Sequence, residues 1–370
     1  MKNTAFLFML LVSFLMSCSH QKQAYVALPT TQFDLSDIRQ MQISDFVESI
    51  MLVPLETNDS CLLKRPRKLA IHNGRLVVDD KRGCLFFFDR EGNFLYSTQH
   101  LRGAGPEQYR IGLDFTLLPD NGMEVFDAMG LKLLHYDKDL KLASTHKLPG
   151  NILPASGYLK ISEDVRLFLS NDTLKWYSLG EKKMLEKTVL PFQYKMMSFQ
   201  QASWYEKNGT FYYAGDYPQN ELYRLDVKER MLEPCHLFDF GEHRFEMEEL
   251  PSGMNDKYYR NYTDEHDDAF VSDKYVDEKR AICFFWYDKK FCFAYQDFRT
   301  GKLGVYYNEW GAKDQLQLPL LYKDDVLYAF APPDELEYWL DESLLSEEDK
   351  AKMDSILEDD NPILIGYKLR

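Results

Sequence analysis

The 370-residue sequence predicts an all-β fold, a six-bladed β-propeller with terminal strands closing the ring. Three observations carry this. A short β-prone run recurs at a nearly constant spacing, a strand–turn–strand element follows most copies, and each end of the chain holds a further β-prone segment.

The recurring runs are Arg75–Asp79, Met123–Asp127, Arg166–Ser170, Thr210–Ala214, Ala281–Trp286 and Val326–Phe330. Taking Asp79, Asp127, Ser170 and Ala214 as equivalent, the steps are 48, 43 and 44 residues. The step from Ala214 to Phe285 is 71, and from Phe285 to Ala329 it is 44 again. Removing an insertion of about 26 residues from the long step restores the period, and several short strands per unit at this spacing are a propeller signature.

Behind the runs come Leu85–Leu95, Leu133–Leu142, Leu222–Leu232 and Phe293–Leu303, with a degenerate third copy at Trp176–Leu185. Asp with Gly or Lys at the centre of these segments supplies the geometry of a tight hairpin. Six units fit between about residue 44 and the end.

The sixth unit has Leu316-Gln317-Leu318 and Val326–Phe330 as strand candidates, then a helical stretch. Pro332-Pro333-Asp334-Glu335 can start a short helical turn. Ser346 before Glu347, Glu348 and Asp349 reads as an N-cap with acids in the first turn. Asn361-Pro362 ends the helix, and Ile363–Leu369 reads as a strand. At the other end of the chain, Phe46–Leu55 is also strand-like. Pairing both in one blade would leave no raw edge.

The chain begins with one Lys, an apolar run from Ala5 to Met16, and Ser17-Cys18. This matches an export signal and is too short for a spanning helix, which needs about 20 residues. Leu15-Met16-Ser17-Cys18 resembles the lipobox of bacterial lipoproteins. That resemblance implies cleavage after residue 17 and lipid attachment at Cys18, leaving a membrane-held protein. The expected layout is a signal over 1–17, a tether over 18–32 and the propeller over 33–370. Ser19–Gln23 lacks an acidic cluster, which favours a periplasm-facing outer-membrane location.

Lys and Arg number 44 against 59 Asp and Glu, a net charge of −15, and −16 without the signal. Such an acidic balance argues against nucleic acid as partner and against adsorption to anionic lipid. Cys61, Cys84, Cys235, Cys283 and Cys292 show no metal-finger spacing and read as small buried side chains. Cys283 and Cys292 could also meet across a hairpin near Asp288. The 24 Tyr and 25 Phe are expected to pack blades together.

Between the first two units lies Leu101-Arg102-Gly103-Ala104-Gly105-Pro106-Glu107-Gln108-Tyr109. With Phe88–Leu95 and Asp359–Leu364, this segment resembles the six-bladed propeller lipoproteins abundant in Bacteroides. The resemblance spans essentially the whole mature chain and is most specific in the first 110 residues. It implies an architecture like the NHL and TolB propellers and transfers no reaction. Gly103, Gly105 and Pro106 suit a tight inter-blade turn, with Glu107 capping its amides and Tyr109 packing between blades. Alternatively, Arg102 and Glu107 project toward the propeller axis and touch a ligand.

The insertion over 241–270 carries Glu242–Glu249 and Asp264–Asp268, with Tyr258, Tyr259, Arg260 and Tyr262 between them. The acids and imidazoles form no EF-hand or His-Glu-x-x-His pattern. The aromatics and Arg260 could form a platform for a sugar or peptide. No Gly-x-Ser-x-Gly elbow, P-loop or dinucleotide fingerprint occurs. The expected function is therefore a lipid-anchored binding module for a protein, peptide or glycan, with no cofactor and no catalytic residue. Its possible contacts are Arg102, Glu107, Tyr109, Tyr258, Tyr259 and Arg260. The alternative is a lactonase-, esterase- or lyase-like propeller with a metal in the central channel. Glu107, Asp114, Asn171 and Asp216 would be its candidate set, and no metal ligands are assigned.

Overall fold

A computed structural model describes residues 27–80, 83–170, 173–190, 204–214, 219–246 and 265–370. The chain forms six sheets arranged as six blades. Blade 1 runs Pro66–His72, Arg75–Asp80, Cys84–Asp89 and Phe94–Ser97, each strand antiparallel to the next. Blade 2 spans Gly112–Lys147, and blade 3 spans Gly157–Val189, with the same four-strand order. Trp204–Lys207 and Phe270–Val276 are the inner strands of blades 4 and 5.

The recurring runs found in the sequence are the second strand of each blade. The following hairpins join the third and fourth strands, and their aspartates explain why the repeat keeps them. Asp89 Oδ1 accepts the amides of Glu91 and Asn93 at 3.0 and 2.8 Å. Asp137 does the same for Asp139 and Lys141, both at 2.9 Å. Asp226 and Asp297 take the amides of the two turn residues that begin two positions later. Each carboxylate replaces backbone partners that the tight turn cannot provide.

The apolar core is divided into six clusters, one at each seam between neighbouring blades. Period-2 alternation produces this division, because successive side chains on a strand enter opposite seams. In blade 1, Leu76 and Val78 pack toward blade 6, whereas Val77 packs toward blade 2. Aromatics fill these seams, as in the Phe126, Tyr158 and Phe168 group between blades 2 and 3. A buried ion pair also sits in a seam. Arg166 places Nε and Nη2 at 2.6 and 2.7 Å from the two carboxylate oxygens of Glu124, with both side chains buried.

The ring closes in blade 6, where Leu321–Lys323, Val326–Ala331 and Ile363–Leu369 come from the end of the chain. Val47–Val53, from near its beginning, pairs antiparallel with Ile363–Leu369 as the outer strand. The closure expected from the two β-prone ends is therefore present. The inner strand is Leu321–Lys323 rather than Leu316-Gln317-Leu318, which precedes it as a connection where Leu316 is buried and Asn308 binds its backbone.

Between the second and third strands of blade 6 sit 3-10 turns and the helix Glu347–Ser355. Ser346 Oγ caps it by accepting the Asp349 amide at 3.1 Å. Asp349 then accepts the amide of Leu52 at 3.2 Å, tying the helix to the closing strand. Asn361, buried just before Ile363–Leu369, donates to the carbonyls of Glu56 and Cys61 at 2.7 and 3.0 Å and accepts the Leu63 amide at 2.7 Å. One side chain thus holds the loop that leaves the closing strand, which accounts for an Asn-Pro at this position.

Residues 30–32, which the sequence assigns to a tether, form a strand instead. Thr30–Gln32 adds a parallel fifth strand to the outer edge of blade 4, and Arg39–Gln40 does the same on blade 5. Thr31 is buried there, with Oγ1 3.0 Å from His236 Nε2. Phe33 stacks on Phe240 at 5.5 Å. Burial of these side chains draws the segment into the fold. Cys283 and Cys292 are free. Register explains this: Cys283 faces Ala294 and Cys292 faces Phe285, so the thiols are offset along the hairpin. Burial pushes both thiols well above the ordinary thiol range.

Candidate functional site

The inner strands of all six blades surround a channel of about 1260 Å³. Its face at one end carries the inter-blade loops. The hairpins joining first and second strands gather at the other end. Inner strands are less completely buried than their neighbours: Pro66–His72 has one buried residue of seven, whereas Arg75–Asp80 has five of six. Water access lets these strands carry charge on the channel wall.

The charge is distributed unevenly around the wall. Blades 1 to 3 present Arg65, Arg67, Lys68 and Lys160 with one carboxylate, Asp114. Blades 4 to 6 present the carboxylates Glu206, Asp273, Asp277, Glu278, Asp324 and Asp325. Their cations are Lys207, Lys279 and Lys323, half as many. The lining carries equal numbers of each sign despite the chain's net charge of −15.

On the basic side, Arg67 is held from behind by Asp79, with Nη2 and Nε at 2.5 and 3.1 Å from Oδ2. Burial raises the Asp79 carboxyl to about 6, against the pull of Arg67. Lys68 Nζ lies 2.7 Å from Asp114 Oδ1 and 4.9 Å from the centre of the Phe115 ring. Asp114 also accepts the amides of Phe115 and Tyr158 at 2.8 and 3.2 Å. Lys160 bonds Glu163 at 2.6 Å.

On the acidic side, tyrosines form a continuous aromatic wall. Tyr275 lies 5.2 Å from Tyr205 and 5.5 Å from Tyr322, ring centre to ring centre, across blades 4, 5 and 6. Burial pushes the Tyr205, Tyr275 and Tyr322 hydroxyls far above their ordinary range, so they act as neutral donors or acceptors. Tyr322 donates to Asp277 Oδ2 at 2.9 Å, and the other oxygen of Asp277 accepts the amides of Lys279 and Arg280 at 2.7 and 2.8 Å. Lys207 approaches Glu278 at 2.5 Å and Asp277 at 3.6 Å. Asp325 receives Lys279 at 2.5 Å and Arg280 at 3.1 Å.

Of the described residues singled out from the sequence as site candidates, only Asp114 lines this channel. Arg102 and Glu107 are exposed on the loop entering blade 2 and are not among the residues lining the channel wall. The cap of that loop is Gln108, not Glu107: its Oε1 accepts the Gly105 amide at 3.1 Å and its Nε2 donates to the His100 carbonyl at 3.2 Å. A Cβ at Gly103 would collide with Gln108 Oε1, and one at Gly105 would lie 2.9 Å from it, so the glycines make room for this side chain. Tyr109 is fully buried in the seam between blades 1 and 2, its hydroxyl 2.5 Å from Thr98 Oγ1. It packs in the seam and does not line the channel.

Cys18, Tyr258, Tyr259, Arg260 and Tyr262 lie outside the described residues, as do Asn171 and Asp216. Glu107 and Asp114 do not meet, because only Asp114 lies on the wall. Among the described residues, no three His, Cys, Asp or Glu side chains are grouped to hold a metal ion. At the base of the insertion, His243 Nδ1 is 2.8 Å from the Asp267 carbonyl, which joins its two ends. The wall residues Arg67, Lys68, Lys160 and Lys207 did have a sequence signal. Each lies in the strand before a recurring run, where charge interrupts an otherwise apolar repeat.

Comparisons of sequence and shape with known proteins agree with this architecture. No curated protein matches the chain. A protein from Bacteroides fragilis, named as exported, has a structure similar over 92% of this chain and 99% of its own, with 17% identity and a TM-score of 0.69. A member of the DUF4221 family from Bacteroides vulgatus is similar over 87% of this chain and 98% of its own, with 9% identity and a TM-score of 0.51. Both likenesses are of fold. Residues 30–368 match the model described as "Domain of unknown function (DUF4934)", and the chain belongs to that family.

Proposed function

We propose that this protein is a lipid-anchored component of the cell envelope that binds a polar ligand in the central channel of its propeller, without catalysing a reaction. The observation that carries the binding reading is the channel itself. Its volume of about 1260 Å³ exceeds the roughly 300–1,000 Å³ common for small-molecule sites, and charged and hydroxyl groups converge on it from six separate strands. The wall carboxylates Asp114, Asp277 and Asp325 already engage lysines, tyrosine or backbone amides. That arrangement suits a preformed binding surface more than a set of free acid–base groups.

The anchoring half of the proposal rests on the Leu15–Cys18 motif. The similarity to a Bacteroides protein named as exported is compatible with it. Cells expressing the full chain and fed an alkyne-tagged fatty acid should label the wild type, whereas Cys18→Ala should lose the label and leave the membrane fraction. Equal labelling of both forms would remove the anchor. For binding, native mass spectrometry of protein incubated with a small-molecule extract of envelopes should show a retained mass. Absence of any retained species would count against the channel as a site.

A further inference from the structure

We infer that the channel takes a zwitterionic, peptide-like ligand that lies across the ring, its carboxylate toward blades 1 and 3 and its ammonium group toward blades 4 to 6. This rests on the reading of the channel as a binding site and specifies what the site selects.

The separation of charge on the wall is the starting point. Arg67, Lys68 and Lys160 stand on one side with a single lining carboxylate. Arg67 is fixed from behind by Asp79, which takes its Nε and Nη2, and Nη2 also reaches the Gly112 and Leu113 carbonyls at 3.4 Å, while the side chain stays about a third exposed. Its Nη1 group is left to donate a charge-assisted bond to a carboxylate. Lys68 is similarly held against Asp114, also about a third exposed.

The lining of the opposite side has twice as many carboxylates as cations, with Arg280 behind it also meeting Asp325, and adds Tyr205, Tyr322 and the largely buried Tyr275. Aromatic faces and carboxylates together favour an ammonium group. A purely anionic ligand would meet like charge on blades 4 to 6, and a purely cationic one would meet it on blades 1 to 3. An apolar ligand would strip water from charged groups without replacing their hydrogen bonds. A molecule bearing one charge of each sign at separated ends satisfies both walls at once. Peptide amides along its length would find partners in the intervening hydroxyl and backbone groups, which is how polar sites fix orientation.

The full chain, solubilised with its anchor, is titrated calorimetrically at low salt with four probes. These are trialanine with free ends, its N-acetyl form, its C-terminal amide and the doubly blocked form. Free-ended trialanine should bind, and blocking either end should weaken binding at least tenfold. Lys68→Gln should weaken the free-ended probe and leave the amide unchanged, while Glu206→Gln should act on the ammonium end alone. Thermal melts of each variant establish that it is folded. Binding of all four probes within twofold of one another, or of none, overturns the inference. If none binds but the wild type still retains a different molecule from the envelope extract, the channel is a site and only the zwitterionic preference fails. If neither binds, both readings fail.

Discussion

Near its beginning the chain meets the ring at three places, and its contacts at blades 6 and 4 are made on different terms. At blade 6, the seven-residue strand Val47–Val53 pairs antiparallel with Ile363–Leu369, preceded by Phe46 and followed by the loop that Asn361 holds. Its buried side chains Phe46, Val47, Ile50 and Leu52 all belong to the cluster between blades 5 and 6. At blade 4, Thr30–Gln32 adds three residues in parallel to an edge that already has four strands. Its inward side chain is polar and rests on a buried histidine. The first contact completes a blade, and the second covers one. Apolar area removed from water scales with the first, whereas the second rests on a short backbone ladder, the Thr31–His236 contact and a stacked Phe33.

The largest test of this difference is Phe46→Ala. Phe46 is 1% exposed, and its ring centre lies 4.6 Å from Phe293 and 5.3 Å from Tyr306. Truncation should cost about 3–5 kcal/mol, the range for a buried Phe. A urea unfolding midpoint that barely moves would show that ring closure does not depend on this seam.

The next effect is one of pH at blade 4. Burial lowers the His236 imidazole to about 4 from its ordinary 6.5. The unfolded chain therefore takes up this proton first. The stability contributed by neutral His236 is complete above pH 6.5 and is lost as pH falls toward 4. Wild-type protein should therefore lose more melting temperature than His236→Gln as pH falls from 6.5 to 4, while the two curves run parallel above pH 6.5. Hydrogen exchange at Phe33 and Leu237, whose amides bond across this edge, should rise in parallel. Identical pH profiles for the two proteins would remove His236 as the sensitive group.

The smallest effect is expected at blade 5. Arg39 donates to the Tyr306 hydroxyl at 2.8 Å and meets Asp45 at 3.1 Å, but its side chain is 56% exposed. Arg39→Ala should cost less than about 1 kcal/mol, as exposed ion pairs do. A loss comparable to that of Phe46→Ala would mean that the edge strands hold the ring as strongly as the closing strand.

Much of this architecture was legible from the residues. The spacing of Asp79, Asp127 and Ser170 marks equivalent second strands because every blade needs the same apolar core strand. The aspartates at 89, 137, 226 and 297 mark hairpins because their carboxylates bond turn amides locally. Ser346 likewise announces a helix through a bond three residues long. Ring closure was readable as two β-prone segments with no partner of their own. The role of the glycines at 103 and 105 was also foreseeable as a turn, although the capping side chain is Gln108, one residue from the acid that suggested itself.

Local chemistry thus determined the blades, their number and the strand that joins the ends, since strands, turns and caps depend on neighbours within a few dozen residues. Only the tertiary structure decided which residues share a wall. Lys68, Lys160, Lys207 and Asp277 are ordinary charged positions on separate repeats until closure of the ring brings their strands around one channel. The same closure buries Tyr109 and leaves Arg102 at the surface, a distinction that no spacing along the chain contains. Period-2 alternation gives each side chain a face, but the ring determines whether that face meets a seam or water.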